Sequence, residues 1–413
     1  MMKRAFRPAD ILIPGSIDMT AWSVVACDQF TSEPEYWEGV ERIVGGKPSS
    51  LRLILPEAYL GVRDADAETA AINAKMREYL DSGIFTTYKN SYVYVERTLQ
   101  NGMLRRGLVG ELDLEEYDYS PASASPVRAT EGTVEERLPP RVRIRRDAPL
   151  EMPHIMVFID DPDDAVMSAA AGGRAVYNFK LMQGGGSIAG YLVPDTAAVD
   201  RAVDGLYDEA ALERKYGRSH RAPVIFAMGD GNHSLATAKK CWEELKPGLS
   251  DAERENHPAR FALAELVNIH DPAVTFEPIH KVIFSTDSRD FISQGEAFFS
   301  ALAGDGHKIT LMAGGSEKTL SLGGVTIGQL IGRCEDFCQK YMSSHGGRID
   351  YIHGDDEAAE MAARDGCAGI LLPRMEKGEL FTSVMQSGPF PKKSFSIGHG
   401  PDKRYYLECR KIR

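Results

Sequence analysis

The sequence has no surplus of positive charge. It carries 48 Lys and Arg against 60 Asp and Glu, a formal net charge of −12. That argues against a general binder of nucleic acid or anionic membrane, whose affinity rests on basic surface. A local basic pocket for a small phosphorylated ligand remains allowed. No helix-turn-helix pattern stands out. No apolar run approaches membrane-spanning length, and none follows the basic start at Lys3, Arg4 and Arg7, so neither a membrane span nor a secretion signal is expected. The 6 Cys fall at 27, 241, 334, 338, 367 and 409, without a CxxC. Cys334 and Cys338 are one helical turn apart, but no second pair completes four metal ligands. Reduced, buried thiols in a cytoplasmic protein are the expectation. No GxGxxG follows a strand, which disfavours a dinucleotide-dependent oxidoreductase. No internal repeat is visible.

What is present suits a globular chain. Its 413 residues allow two or three domains, with 43% hydrophobic and 26% charged residues. Short strands are expected at 10–14, 23–27, 51–55 and 155–159, and helices at 34–44, 65–82 and 196–212. Asn101-Gly102 between alternating runs marks a hairpin of 91–99 with 103–112. Gly184-Gly185-Gly186 separates strand-like runs 175–182 and 187–193; it suits a hairpin turn or a phosphate cradle equally. From 286 onward helices and strands alternate through 404–412. Ile327, Leu330, Ile331, Cys334, Phe337, Cys338 and Tyr341 form an apolar helix stripe, read as core. The mixture fits α+β, or mixed α/β, better than a doubly wound sheet.

The central stretch is residues 223–245. Val224 to Met228 reads as a buried strand, Gly229-Asp230-Gly231 breaks it, and Asn232 or Ser234 can cap a helix to about Leu245. A strand, a glycine turn and a helix aim backbone N–H groups and a helix dipole at one point, a geometry that binds phosphate. Asp230 can hold a metal or a proton, and His233 titrates near neutral pH. Asp-Gly-Asn is also an ordinary turn.

Other candidates lie outside this stretch. Thr133 and Glu136 have capping-box spacing, with Arg128 and Glu131 just before it. Asp160, Asp161, Asp163 and Asp164 surround Pro162 without the spacing of a calcium loop, so a solvated helix start is expected. His280 and Lys281 sit at a strand start after Pro278. Asp28 ends a strand-like run.

In this order the pieces resemble the bacterial family DUF 1015. They are Phe6-Arg7-Pro8, Arg106-Gly107-Leu108-Val109-Gly110, Arg128-Ala129-Thr130-Glu131, Asp230-Gly231-Asn232-His233, Pro278-Ile279-His280-Lys281, Tyr351-Ile352-His353-Gly354 and Pro391-Lys392-Lys393-Ser394-Phe395. The family's central loop commonly reads Asp-Gly-His-His-Arg and is similar to the phosphate-holding loop of ParB/sulfiredoxin-type folds. Relatives there include kinases of free serine and CTP-binding ParB proteins. This chain departs where Asn232 replaces the first His and Ser234 replaces the Arg, the residue suited to bidentate phosphate contact. Charge would then come from Arg128, Lys239, Lys281 or Lys393. The N-terminal Pro-Pro-Tyr-Asp-Val of the family reads Ala26-Cys27-Asp28-Gln29-Phe30 here.

The resemblance implies a ParB/sulfiredoxin-like core over 127–285, an N-terminal region 1–126 lending it strands, and a C-terminal lobe 286–413. It implies a nucleotide site and a small-molecule kinase, with ATP or ADP and Mg²⁺. In that site Gly229, Gly231, Asn232 and Ser234 would cradle phosphates. His233 would donate to them, and Asp230 or Glu131 would hold Mg²⁺ or take the acceptor's proton. Arg128, His280 and Lys281 would complete the pocket. The alternative is a regulatory protein that senses nucleotide or phosphate without turnover. Partners would be a nucleotide and a small hydroxyl compound such as free serine, with no nucleic acid and no membrane.

Overall fold

Phe226, Ala227 and Met228 are all buried, yet they face opposite sides of one strand. Phe226 and Met228 pack with Val157, Ile159 and Leu266, whereas Ala227 packs with Phe158 and Val267. A strand covered on both faces has no polar side, which is why it reads as an unbroken apolar run.

The computed structural model describes residues 4–133, 135–217, 223–398 and 400–413. The fold is mixed α/β, with one ten-stranded and one six-stranded sheet among the described residues. In the larger sheet the hairpin Arg174–Lys180 with Ser187–Leu192 leads to Val93–Thr98, then Leu104–Asp113, then Phe261–Asn268, all antiparallel. Phe261–Asn268 runs parallel to Met156–Ile159, which lies antiparallel to Phe226–Asp230. Val127–Arg128 then pairs parallel with Phe226–Asp230. In the smaller sheet the long strand Phe276–Phe284 pairs antiparallel with Arg348–His353, Cys367–Leu371 and Phe395–Ile397. One core joins the sheets: Phe158, Ala227 and Val267 lie in a cluster with Ile283, Leu311, Ile370 and the helix stripe from Ile327 to Tyr341. Cys334 and Cys338 are free and buried in it, as read.

The hairpin at Asn101-Gly102 forms, with Gly102 at φ 81°. Gly184-Gly185-Gly186 is a hairpin turn; a Cβ on Gly186 would lie 2.0 Å from the Thr98 carbonyl oxygen. The acidic run is a helix start, as expected, but not a solvated one throughout: buried Asp161 accepts from the Val166 N–H at 2.8 Å, Asp160 pairs with Lys215, and Asp164 pairs with Arg106.

Four local readings need correction. The helix expected over 196–212 is two, Thr196–Gly205 and Glu209–Tyr216, and Asp208 caps the second through the Ala210 and Ala211 N–H groups. Residues 23–27 make only an isolated bridge, Val25 with Tyr405. Residues 50–53 form a 3₁₀ turn rather than a strand, because Ser49 caps it through the Leu51 N–H and Ser50 Oγ donates to the Trp22 carbonyl at 2.6 Å. The helix read from Thr133 starts at Leu138, after a 3₁₀ turn over Glu135–Arg137, with Pro139 and Pro140 in its first turn, where a missing N–H costs little. Val134 lies outside the described residues.

The chain end does not stay with the smaller sheet. Residues 404–412 run extended among N-terminal elements: Tyr406 N–H donates to Val24, Cys409 bridges Leu12, and Arg410–Lys411 pair with Leu150–Glu151. Arg404 is buried, with Glu265 at 2.6 Å and Glu408 at 2.8 Å. No helix among the described residues is long and apolar enough to cross a membrane.

Candidate functional site

The strand Phe226–Asp230 (the site strand) and the helix Asn232–Leu245 (the site helix) are joined by Gly231 alone. Gly231 adopts φ 77° and ψ 26°, the left-handed region, and occupies the N-cap position. This corrects the expectation that Asn232 or Ser234 caps the helix. The turn needs glycine twice over, for its φ and because an added Cβ would sit 3.1 Å from Ile155 Cα. The N-cap residue, a glycine, has no side chain to accept from the first turn, whose N–H groups have no intrahelical carbonyl to pair with. Asn232 begins the helix with its Oδ1 buried and without a hydrogen-bond partner among the described residues. His233 is half-buried on the first turn, and its carbonyl accepts from Thr237 Oγ1 at 2.7 Å. Gly229 lies against the Phe158 ring, where a Cβ would come within 2.9 Å.

Two carboxylates meet at the turn. Asp230 Oδ1 accepts from the Gly231 N–H at 2.8 Å, and Oδ2 lies 3.3 Å from Lys403 Nζ. Glu131 comes from an isolated bridge to Phe390, and its Oε1 accepts from the Lys393 N–H at 2.6 Å. Burial pushes the Glu131 carboxyl above its ordinary range. The backbone N–H groups of Lys393 and Ser394 oppose that rise, and the charge of Asp230 adds to it.

Behind the turn sits His154, buried at the start of the neighbouring strand. Its Nε2 lies 3.1 Å from Ser234 Oγ and 3.6 Å from Asp28 Oδ2, and its Nδ1 lies 2.9 Å from the Tyr406 hydroxyl. Burial disfavours the protonated ring, but Asp28 and then Asp230 overcome it and raise the net value above the usual histidine range. Burial likewise opposes ionised Asp28, but the charge of His154, helped by the Gln29 amide that donates to Oδ1, holds it well below the usual carboxylate range. Burial pushes the adjacent Cys27 thiol up to about 11, which keeps it a thiol at neutral pH.

The turn thus brings together Gly229, Asp230, Gly231, Asn232, His233, Ser234 and Glu131. Arg128 lies on the strand beside the site strand, buried, with its Nε donating to the Ser125 carbonyl at 2.8 Å. His280 and Lys281 belong to the smaller sheet and have partners there. His280 Nε2 is 2.9 Å from Asp355, and its Nδ1 accepts from the Leu372 N–H. Burial lowers its pKa, against the opposing pull of Asp355. Lys281 is fully buried and donates to Glu335 at 2.6 Å. Lys281 and Lys393 each place Nζ 4.9 Å from the Tyr351 ring. Lys239 is held by the Leu114 carbonyl and Glu243.

Sequence reasoning did not single out His154, Lys403 or Tyr406. The one available signal was charge inside an apolar run, Arg404 to Arg410, which marks buried ion pairs and hence a tail packed into the body. Among the described residues no group of three or more His, Cys, Asp or Glu side chains is placed to hold a metal. The pair Asp230 and Glu131 still suits Mg²⁺, which is commonly held by one or two carboxylates together with phosphate and water.

A family model described as a protein of unknown function, DUF1015, matches residues 13–362, and the chain belongs to that family. No curated protein matches it. Among solved structures, a free serine kinase in complex with AMP is 10% identical, covering 73% of this chain and 91% of its own, with a TM-score of 0.36. A truncated SbnI from Staphylococcus aureus is 10% identical, covering 70% and 82%, with a TM-score of 0.35. A conserved hypothetical protein from Pyrococcus furiosus is 9% identical, covering 72% and 90%, with a TM-score of 0.32.

Proposed function

We propose that this member of the family binds the phosphates of ATP or ADP at the first turn of the site helix and transfers a phosphoryl group to a small hydroxyl compound, with free serine the first acceptor to try. The observation that carries the reading is a helix N-terminus left without a side-chain cap beside two carboxylates in unlike surroundings. Uncapped N–H groups and the helix dipole favour a bound anion. Phosphoryl transfer asks mainly for clamped phosphates, neutralised charge and an aligned hydroxyl.

The roles follow from position. The N–H groups of Asn232, His233 and Ser234 donate to phosphate oxygens, and the His233 ring adds a donor. Lys403 supplies the positive charge that Ser234 lacks. Glu131, with its carboxyl raised by burial, takes the acceptor's proton as the new O–P bond forms and the bond to the leaving nucleotide oxygen breaks. Mg²⁺ held by Asp230 would supply charge neutralisation on the phosphates.

One observation favours a second reading, nucleotide sensing without turnover: Lys403 already pairs with Asp230, the carboxylate that the transfer reading assigns to the metal. Transfer of labelled γ-phosphate from ATP and Mg²⁺ to a pool of free amino acids separates the two. Labelled phosphoserine that disappears in His233→Ala supports transfer. Saturable nucleotide binding with no transfer supports sensing. A His233→Ala protein with full affinity and turnover would refute the assignment of the turn.

A further inference from the structure

A cavity of about 150 Å³ reaches the site from one side. It is bounded by the segment Leu53–Leu60, the helix Leu138–Arg146 and residues 150–155. Its walls are aliphatic, among them Leu53, Leu55, Leu60, Met76, Ile144 and Leu150. Its floor is polar, made by His154, Ser234 and Tyr406, the hydrogen-bonded trio behind the turn. Ser234 and Thr237 line it from the site helix, so the cavity floor and the uncapped N–H groups share the same first turns.

We infer that this cavity is the nucleobase subsite. The inference rests on the reading of the turn as a nucleotide-phosphate site. Its size is right for a flat ring, since an aliphatic cavity of about 150 Å³ holds benzene. Its charge is wrong for phosphate. The cations in its lining already have carboxylates: Arg141 pairs with Glu57, Arg145 with Glu151, and His154 with Asp28. Apolar walls with a few convergent polar groups are the usual build of a small-molecule site. Here the walls cover the ring faces, and the Ser234 and Tyr406 hydroxyls with His154 meet the ring's polar edge. The base therefore lies on the His154 side of the helix start, and the phosphates lie on the Asp230 side.

Calorimetric titration of the full chain with ATP and with inorganic tripolyphosphate, both with Mg²⁺, tests this. Tripolyphosphate keeps the phosphates and omits the base. The wild type should bind ATP at least about tenfold more tightly, the return on burying one ring. Ile144→Trp, which fills the cavity from a half-buried position, should weaken ATP at least about tenfold and leave tripolyphosphate unchanged. Leu60→Trp, from a different wall, should do the same, with melting temperatures showing that both variants fold. Equal wild-type affinity for the two ligands, or unchanged ATP affinity in both folded variants, overturns the base subsite and leaves the phosphate reading standing. Equal weakening of both ligands also overturns it, because the effect is then not on the base. A wild type that binds neither ligand removes the phosphate reading and this inference with it.

Discussion

Replacing Asp28 by Asn should destabilise the protein in a pH-dependent way. Asp28 Oδ2 and the His154 ring form a half-buried ion pair: the His154 side chain is 6% exposed, the Asp28 side chain 28%, and the approach is 3.6 Å. Breaking a fully buried pair costs about 3–5 kcal/mol, and an exposed pair contributes less than about 1 kcal/mol. Asp28 is partly wet and His154 can retreat to its neutral form, so the loss should be about 2 kcal/mol. The sign follows from linkage. His154 is raised above 6.5, so its contribution is complete below about pH 6.5 and is lost as pH rises through the raised value. Asp28 is lowered below 3.8, so its contribution is complete above about pH 4 and is lost as pH falls through the lowered value. The full effect therefore lies between about pH 4 and 6.5. Urea unfolding, followed by fluorescence of the buried Trp22, Trp37 and Trp242, should show the gap near pH 5.5 and its closure near pH 9. A gap of equal size at both pH values would show that Asp28 acts by packing or turn geometry and not by charge.

Arg404→Met should cost about 3–5 kcal/mol, because Glu265 and Glu408 then stay buried without their cation. Thermal melts at neutral pH read the loss. It should shrink toward acid pH, since Glu265, which Arg404 holds low against its own burial, becomes easier to protonate. Gly231→Ala places a Cβ at φ 77° and 3.1 Å from Ile155 Cα, and should cost about 1–3 kcal/mol in unfolding measurements. Glu131→Gln should lower turnover by about 100-fold or more with nucleotide affinity retained. In the wild type the acid limb of turnover should lie above the ordinary glutamate range, because burial raises Glu131; a limb at or below that range would exclude Glu131 as the base.

Much of the architecture was legible locally. The change from an apolar run to helical spacing across Gly229-Asp230-Gly231 marks a strand, turn and helix, and the Asn101-Gly102 hairpin and the Ile327 to Tyr341 stripe were equally plain. These features rest on backbone torsions and side-chain periodicity, which neighbouring residues set among themselves. Leu51 to Leu55 was misread because a short apolar run suits a strand or a 3₁₀ turn alike; distant Trp22, accepting from Ser50, sides with the turn. The cap was misread for a similar reason. Asn232, Ser234 and Gly231 are all competent caps, and the close approach of Ile155 selects the one without a side chain.

The surroundings of the site could not be read this way. His154 meets Asp28 from the N-terminal region, Ser234 from the site helix and Tyr406 from the chain end. Lys403 reaches Asp230 because the tail is anchored by Arg404 in a buried pair of carboxylates. Lys281 was expected to lend its charge to the phosphate site, and the fold gives it Glu335 instead. The sequence by itself determined the turn that presents N–H groups, because that follows from a few adjacent torsions. Only the tertiary structure decided which charges stand around it, because pairing of buried charges depends on which distant segments share the same low-dielectric space.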